Sequence, residues 1–206
     1  MTSDLRATYE QLRASVLLPI AGELSSLIRN TLLECEHIDR VTARAKDVDR
    51  FLAKAEKKER DGQPKYAEPL VQIQDQIGAR VVVYYLKDVD VVESVLVKYF
   101  RHIEAKDIVP DSESEFGYFG RHFIMALPVD VLPKELSKEH APTFFELQIK
   151  TLFQHAWSEA EHDMGYKCPR DLTSEEKRLF AYTAAQAWGA DRIFDDLCEM
   201  LSSSPQ

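Results

Sequence analysis

Two short segments carry acidic side chains in settings that suit a magnesium ion. The first is Asp75-x-x-Gly78-x-Arg80, which leads into a run of β-branched and aromatic residues. A carboxylate at a strand entrance is a suitable magnesium ligand, the glycine lets a ligand approach the backbone, and the arginine offers a fork for phosphate. The second is Glu146-x-Gln148. Each segment alone also fits a surface turn or an exposed strand face, so the pair has to be judged together.

The segment 143–150 alternates apolar and polar side chains. Phe145, Leu147 and Ile149 alternate with Glu146, Gln148 and Lys150. Because successive side chains of a strand face opposite ways, one face enters the core and the other presents a carboxylate, an amide and an amine. If Asp75 and Glu146 lie on neighbouring strands, they can share one divalent ion.

Basic residues are concentrated between positions 40 and 60. The whole chain is acidic, with 35 Asp and Glu against 26 Lys and Arg and a net charge of −9, which argues against general binding to a nucleic-acid backbone. A local basic surplus in such a chain favours a small polyanion such as a nucleotide phosphate tail, although a solvated helix face is the alternative. The bases are Arg40, Arg44, Lys46, Arg50, Lys54, Lys57, Lys58 and Arg60.

Two further segments have residue types that could take part in chemistry. Tyr118 and His122 lie at a loop-to-strand junction that contains Gly117 and Gly120, where the tyrosine could stack on a nucleobase or fill a core turn. The helical segment 155–162 places two histidines and a glutamate on one face, and we interpret it as a polar cluster in a site wall rather than a metal centre. The sequence has no Walker loop, no Gly-x-Gly-x-x-Gly and no nucleophilic Ser or Cys in a recognisable setting.

The elements that must position these residues predict an α+β fold. Apolar periodicity indicates helices over 4–34 (interrupted at Pro19), after Asp47, from Asp88 to 100, over 152–166 and over 174–201, with capping signals at Asp47, Asp88, Thr151/Gln154 and Thr173/Glu176. Strand patterns occur at 38–46, 80–86, 119–127 and 143–150. We therefore expect a sheet of about four or five strands surrounded by helices, in a single domain over 1–206 on which helices 4–34 and 174–201 pack.

The composition fits a globular protein of the cytoplasm. The longest apolar run, residues 81–86, is too short to span a bilayer. The N-terminus lacks the features of a signal peptide, and the three cysteines have no metal-binding spacing. We expect free thiols in a reducing cytosol.

Taken together and in order, these segments resemble the synthetase domain of the RelA/SpoT family, in the stand-alone form called small alarmone synthetases. The resemblance covers roughly residues 20 to 195. Five segments carry it: Arg44-x-Lys46 with Lys54, Asp75-x-x-Gly78-x-Arg80, Gly117-Tyr118-x-x-x-His122, the run 146–151 and the run 155–167. Lys150 stands where the family usually has arginine.

The resemblance implies a nucleotidyltransferase-like mixed sheet and a pyrophosphokinase that moves the β,γ-pyrophosphate of ATP to the ribose 3′-hydroxyl of GTP or GDP. It implies Mg²⁺ on Asp75 and Glu146, with Glu146 also helping to deprotonate the acceptor. It further implies that Gln148 orients the acceptor ribose. The implied ATP-binding residues are Arg44, Lys46, Lys54 and Arg80, and the implied acceptor-binding residues are Tyr118, His122, Lys106 and Gln148. A homo-oligomer is also common in the family.

The segment before Gly117 departs from the family pattern. The family usually has a Pro-Lys pair and an asparagine there, whereas this chain is acidic and has Ser114 and Phe116 at the lysine and asparagine positions. Arg50 replaces a usual serine. The donor half therefore looks intact and the acceptor half altered, and like charges in the loop should repel an anionic acceptor unless magnesium or Lys106 compensates.

Three alternatives to a synthetase that uses GTP or GDP stay open at the level of sequence. The acceptor could be another purine nucleotide. The chain could be a toxic relative that pyrophosphorylates the 3′ end of tRNA, although its net charge counts against this. It could also be a non-catalytic nucleotide-binding module, although the presence of both Asp75 and Glu146 counts against that.

Overall fold

The computed structural model describes residues 2–108, 115–117, 120–133, 141–166 and 168–202. Within this part of the chain, five strands form one sheet in the order β1-β2-β5-β4-β3. The strands are β1 (Ile38–Ala45), β2 (Ile77–Val83), β3 (His102–Ile108), β4 (Gly120–Ala126) and β5 (Phe144–Thr151). The predicted α+β architecture with a mixed sheet is confirmed.

The last strand of the chain is the middle strand of the sheet. β5 pairs in parallel with β2 and antiparallel with β4, while β1–β2 and β3–β4 are antiparallel pairs. β2 is apolar along most of its length because it is an inner strand covered on both faces, and Val81, Val82 and Val83 are fully buried. β3 was not predicted, because its side chains are almost all exposed and carry no apolar alternation.

The helices lie around this sheet and account for the predicted apolar stripes. They are α1 (Thr2–Leu12), α2 (Leu18–Thr31), α3 (Val48–Ala55), α4 (Pro69–Gln72), α5 (Leu86–Tyr99), α6 (Leu152–Tyr166) and α7 (Ser174–Ser202). α1 and α2 are joined by a π-helical turn, Arg13–Leu17, so the predicted helix 4–34 is interrupted just before Pro19 rather than broken. Pro19 has no N–H to donate to the preceding turn. The core between helices and sheet includes Leu24, Leu96 and Leu147.

Most of the predicted helix caps are present. Asp47 accepts hydrogen bonds from the backbone N–H groups of Asp49 and Arg50, at 3.0 and 3.3 Å. Thr151 with Gln154, and Thr173 with Glu176, form reciprocal capping boxes.

Two predictions about helix ends were wrong. Asp88 is not the N-cap of α5: it is the third residue of the helix, and its carboxylate accepts from the backbone N–H of Tyr85. The spacing of Arg50, Lys54, Lys57 and Lys58 predicts that all four lie on one helix face, but α3 ends at Ala55 and leaves Lys57 and Lys58 outside it. They belong to an irregular turn in which Gly62 has a φ of 85°, a value that favours glycine.

α7 packs on α6 and α5 through few buried residues. Ala184 and Asp191 are its buried positions, whereas Phe194, Leu197 and Leu201 of the predicted apolar stripe are exposed. Among the helices described, none combines the length and apolar character needed to cross a membrane.

Candidate active site

Six of the predicted site residues line one cleft of about 520 Å³ at the amino-terminal end of β2: Arg44, Lys46, Asp75, Arg80, Glu146 and Gln148. The carboxyl end of β1, the turn before β2 and the first half of β5 form its walls. We call it the donor cleft. Its lining residues are Arg13, Thr42, Arg44, Ala45, Lys46, Asp47, Arg50, Asp75, Gly78, Ala79, Arg80, Glu146 and Gln148.

The parallel register of β2 and β5 brings the two sequence segments together. Gly78 is opposite Glu146, and Arg80 is opposite Gln148. The Arg80 Nε donates to Gln148 Oε1 at 3.2 Å. The predicted alternation is confirmed from Phe145 to Ile149, whereas Lys150, which was expected to be presented with Glu146 and Gln148, is buried. Because Gly78 has no side chain and nothing lies within 4 Å of where a Cβ would be, the space above it belongs to the cleft.

Asp75 is held by two lysines through one oxygen only. Its Oδ2 lies 2.8 Å from the Nζ of Lys46 and 2.8 Å from the Nζ of Lys54. Its Oδ1 is buried and has no hydrogen-bond partner among the described residues. Burial by itself would raise the pKa of the Asp75 carboxyl, but Lys46 and Lys54 outweigh it and lower that pKa below the usual value. Asp75 is therefore ionised at neutral pH, with one buried oxygen available.

Glu146 is the second carboxylate of the cleft. Its Oε1 lies 3.2 Å from His122 Nδ1, and its Oε2 accepts from the Gln148 side-chain amide at 3.2 Å. Burial opposes ionisation, but His122 and Gln148 outweigh it, so the pKa of Glu146 is lowered. The charge of Asp75 acts on Glu146 in the opposite direction. Two ionised carboxylates thus line one cleft and interact.

Arg44 and Arg80 both supply positive charge to the cleft, but only Arg80 is paired with a carboxylate among the described residues. Arg44 has no ion pair or hydrogen bond from its side chain to the residues that the structure describes. Burial in the cleft, Arg80 and Arg50 lower the pKa of its guanidinium. Arg80, in contrast, contacts Glu159 and lies 3.1 Å from His155 Nδ1. His155 and Glu159 of α6 thus pack against Arg80, but neither residue lines the cleft itself, and the predicted role of this segment as a site wall stays a prediction.

The predicted acceptor residues are only partly described. His122 on β4 contacts Glu146, and Lys106 on β3 is paired with His122 across the β3–β4 ladder but does not line the donor cleft. Tyr118 lies outside the described residues, as does most of the acidic segment before it. Phe116, at the usual asparagine position, packs edge-on against Trp188 of α7, with ring centroids 5.9 Å apart.

Two cationic residues of the cleft were not predicted as site residues. Arg13 lies in the π-helical turn, and Arg50 lies in the first turn of α3. Arg50 was noted as a departure from the family pattern. Arg13 had no signal in the sequence, because one basic residue between apolar positions of a long helix is typical of a surface position.

A mixed sheet with two ionised carboxylates and an excess of cations around one cleft is suited to the transfer of phosphoryl groups. The chain belongs to the RelA/SpoT family: a sequence model described as "Region found in RelA / SpoT proteins" matches residues 43–171. It is an enzyme of the pyrophosphotransferase class.

Individual relatives agree with this assignment. The GTP pyrophosphokinase YjbM of Bacillus subtilis (strain 168) is 28% identical over 168 residues, which are 79% of this chain and 72% of the relative. The structure of a GTP pyrophosphokinase family protein from Streptococcus pneumoniae has 27% identity and a TM-score of 0.70, covering 90% of this chain and 93% of that one. The crystal structure of small alarmone synthetase 1 from Bacillus subtilis, at 23% identity, has the same fold, with a TM-score of 0.76 over 96% of this chain and 99% of that one.

Proposed function

We propose that this protein transfers the β,γ-pyrophosphate of ATP to the ribose 3′-hydroxyl of a guanosine nucleotide, GTP or GDP. The O3′–Pβ bond forms, the bond between Pβ and the oxygen bridging it to Pα breaks, and AMP leaves with that oxygen. The observation that carries this proposal is the pair of ionised carboxylates, Asp75 and Glu146, in one cation-lined cleft. Relatives that are named GTP pyrophosphokinases support it.

The donor phosphates bind to Arg44, Lys46, Lys54 and Arg80. Arg44 supports this role because its guanidinium faces other arginines and has no counter-ion among the described residues. A triphosphate supplies the missing negative charge and two-pronged acceptors for a guanidinium. Lys46 and Lys54 lie next to the first carboxylate and can contact phosphate and carboxylate together.

Asp75 and Glu146 fit a magnesium ion. The unpaired, buried Oδ1 of Asp75 requires a partner, because an unsatisfied buried acceptor costs about 1–3 kcal/mol. Magnesium that is bound together with phosphates usually takes only one or two protein carboxylates. Within the described residues there is no cluster of three or more metal-ligating side chains, which agrees with a site completed by substrate. When bound, the ion neutralises charge on the transferring phosphates.

Glu146 accepts the proton of the attacking hydroxyl. Its lowered pKa keeps it ionised at neutral pH, so it can serve as a base or as a hydrogen-bond acceptor that aligns the hydroxyl. Gln148 is next to it and orients the ribose through its amide. His122, Lys106 and Tyr118 bind the acceptor phosphates and base, and catalysis rests on positioning and charge neutralisation.

A nucleotide panel tests the proposal. The purified protein is incubated with ATP, magnesium and one of GTP, GDP, GMP or a second molecule of ATP, and products are identified by mass. We expect AMP and an acceptor that has gained two phosphates, made from GTP and GDP but at low efficiency because of the altered loop. If GMP or ATP gave product and GTP and GDP did not, the proposed acceptor would be wrong.

The matched control is Glu146→Gln, which keeps the size of the side chain but removes its charge. We expect AMP release to fall at least a hundredfold, since metal binding and proton transfer are lost together. Unchanged AMP release in this variant would contradict the proposed mechanism and favour a non-catalytic nucleotide-binding module.

A further inference from the structure

We infer that Arg13 is a further donor-binding residue that contacts the β- and γ-phosphates of ATP from the π-helical turn between α1 and α2. The inference rests on the proposed function of the donor cleft. It extends that function because Arg13 lies outside the segment that matches the family, residues 43–171.

The position of Arg13 is fixed by its inner nitrogen. The Arg13 Nε donates to the backbone carbonyl of Lys46 at 3.1 Å, and the Tyr9 hydroxyl donates to the same carbonyl at 3.1 Å. Tyr9 is itself immobilised, being fully buried and stacked on Phe51 with ring centroids 3.7 Å apart. The guanidinium is therefore held next to the carboxyl end of β1 by its Nε, and this contact does not use its two terminal nitrogens.

These terminal nitrogens have no partner among the described residues, and Arg13 lines the donor cleft. In the same cleft the Lys46 amine is paired with Asp75, and the Arg80 guanidinium is paired with Glu159. A half-buried guanidinium with an unoccupied fork is suited to a bidentate phosphate contact.

The local backbone explains how a long amphipathic helix can deliver this side chain. Val16 and Leu17 of the π-helical turn are buried in the core, so the turn is anchored on its apolar side. Single π-helical turns inside α-helices occur frequently at functional sites. Here the turn starts at Arg13 itself.

The charge of the cleft agrees with a phosphate ligand. Its lining has five cationic side chains, Arg13 included, and three carboxylates. Magnesium would offset two of those carboxylates, so the surplus is available to the tail of ATP, whereas AMP lacks the β- and γ-phosphates that Arg13 would contact.

The test separates phosphate binding by Arg13 from mere support of Lys46. Arg13→Gln removes the charge, and Tyr9→Phe removes the other hydrogen bond to the same carbonyl but leaves the cleft charge intact. Arg6→Gln removes an arginine of α1 that pairs with Asp49 and does not line the cleft. Each variant is checked for native circular dichroism, and its affinity for the non-transferable analogue α,β-methylene-ATP and for AMP is measured by calorimetry with magnesium.

We expect Arg13→Gln to weaken the ATP analogue at least tenfold and AMP less than twofold, with Arg13→Lys in between. Tyr9→Phe and Arg6→Gln should stay within twofold of wild type for both ligands. Equal losses for the analogue and AMP, or a Tyr9→Phe loss as large as that of Arg13→Gln, would reduce Arg13 to a positioning residue and overturn the inference. Wild-type affinity in Arg13→Gln overturns it as well and leaves the proposed function standing, whereas a wild-type protein that does not bind the analogue refutes both.

Discussion

Lys150 is a buried amine at the carboxyl end of the polar face of β5, where α6 covers it. Its side chain is 2% exposed, and its Nζ donates to Ser158 Oγ at 3.0 Å. Burial, followed by the neighbouring charge of Arg80, lowers the pKa of Lys150 to about 7. The family usually has arginine here, which stays charged at any physiological pH.

Loss of the proton from Lys150 should therefore make the folded protein more stable as pH rises. Because the pKa of Lys150 is lower in the folded state, its contribution to stability is fully present above the unfolded pKa and is lost as pH falls towards about 7. Lys150→Met removes that titration. We expect the stability gained by Lys150→Met to shrink by on the order of 3 kcal/mol between pH 6.5 and 9.5, measured by urea unfolding.

Two variants serve as controls for Lys150. Lys98→Met changes an exposed lysine of α5 and should show a difference that does not depend on pH. Lys150→Arg keeps a permanent charge, so the stability of wild type relative to this variant should increase as pH rises. A constant difference between wild type and Lys150→Met would show that the amine is charged in the folded protein over the whole range.

Residue patterns predicted one part of the arrangement of the site, which is the polar face of β5. Strand alternation alone placed Glu146 and Gln148 on one face, and it could do so because period-two patterns are local. The two lysines on Asp75 could not be derived, because Lys46, Lys54 and Asp75 belong to separate elements whose distances depend on the pairing of β1 with β2. Arg13 could not be derived either, because its role depends on a backbone carbonyl across the fold.

At the scale of elements, α7 is joined to the sheet by one buried hydrogen bond. The Thr151 hydroxyl at the end of β5 donates to Asp191 Oδ2 at 2.8 Å, and Oδ1 of Asp191 is buried without a partner among the described residues. Burial raises the pKa of Asp191 to about 6. An ionised carboxylate in this place weakens the junction between α7 and the sheet.

Asp191→Asn should strengthen that junction at neutral pH. Because the pKa of Asp191 is raised in the folded state, its contribution to stability is present below the unfolded pKa near 4 and is lost as pH rises through about 6. Asparagine keeps an oxygen acceptor for Thr151 and does not ionise. We expect the thermal midpoint of Asp191→Asn, relative to wild type, to be higher at pH 7.5 than at pH 4.5, by an amount equivalent to at most about 3 kcal/mol.

The control is Asp196→Asn, an exposed position on the same helix, which should give nearly equal shifts at the two pH values. Equal shifts of the midpoint at both pH values in Asp191→Asn would show that the pKa of Asp191 is the same in the folded and unfolded states, which contradicts the prediction.

The sequence predicted elements well where packing and caps agree. The capping boxes at Thr151 and Thr173 were identifiable because both partners lie within one turn. β3 was missed because an edge strand with exposed, charged side chains carries no burial pattern. The stripe of α7 was overestimated, since helical periodicity shows which residues share a face but not whether anything covers that face.

At the scale of the whole molecule, the chain has a net charge of −9, whereas the cleft is lined by more cations than carboxylates. This arrangement favours a small anion that fits the cleft and disfavours a long polyanion that would also meet the acidic exterior. We expect no gel-shift of deacylated tRNA at moderate salt and, at most, weak binding at low salt. A stable complex at moderate salt would favour the tRNA 3′ end as acceptor.

We propose that the helices at both ends of the described chain belong to the same folding unit as the sheet. Tyr9 of α1 is in the common hydrophobic core with Phe51, and Asp191 of α7 is bonded to β5. A homo-oligomer, which the resemblance implies, stays a prediction.

The order of the strands has a consequence for biosynthesis. β5 leaves the ribosome after all other strands, yet it is the strand that joins β2 to β4. Until β5 pairs with both neighbours, β2 and β4 each have an open edge, and a chain that ends before β5 lacks Glu146, so its Asp75 would face no second carboxylate. Under the proposed function, an incomplete copy of this protein would therefore not transfer pyrophosphate.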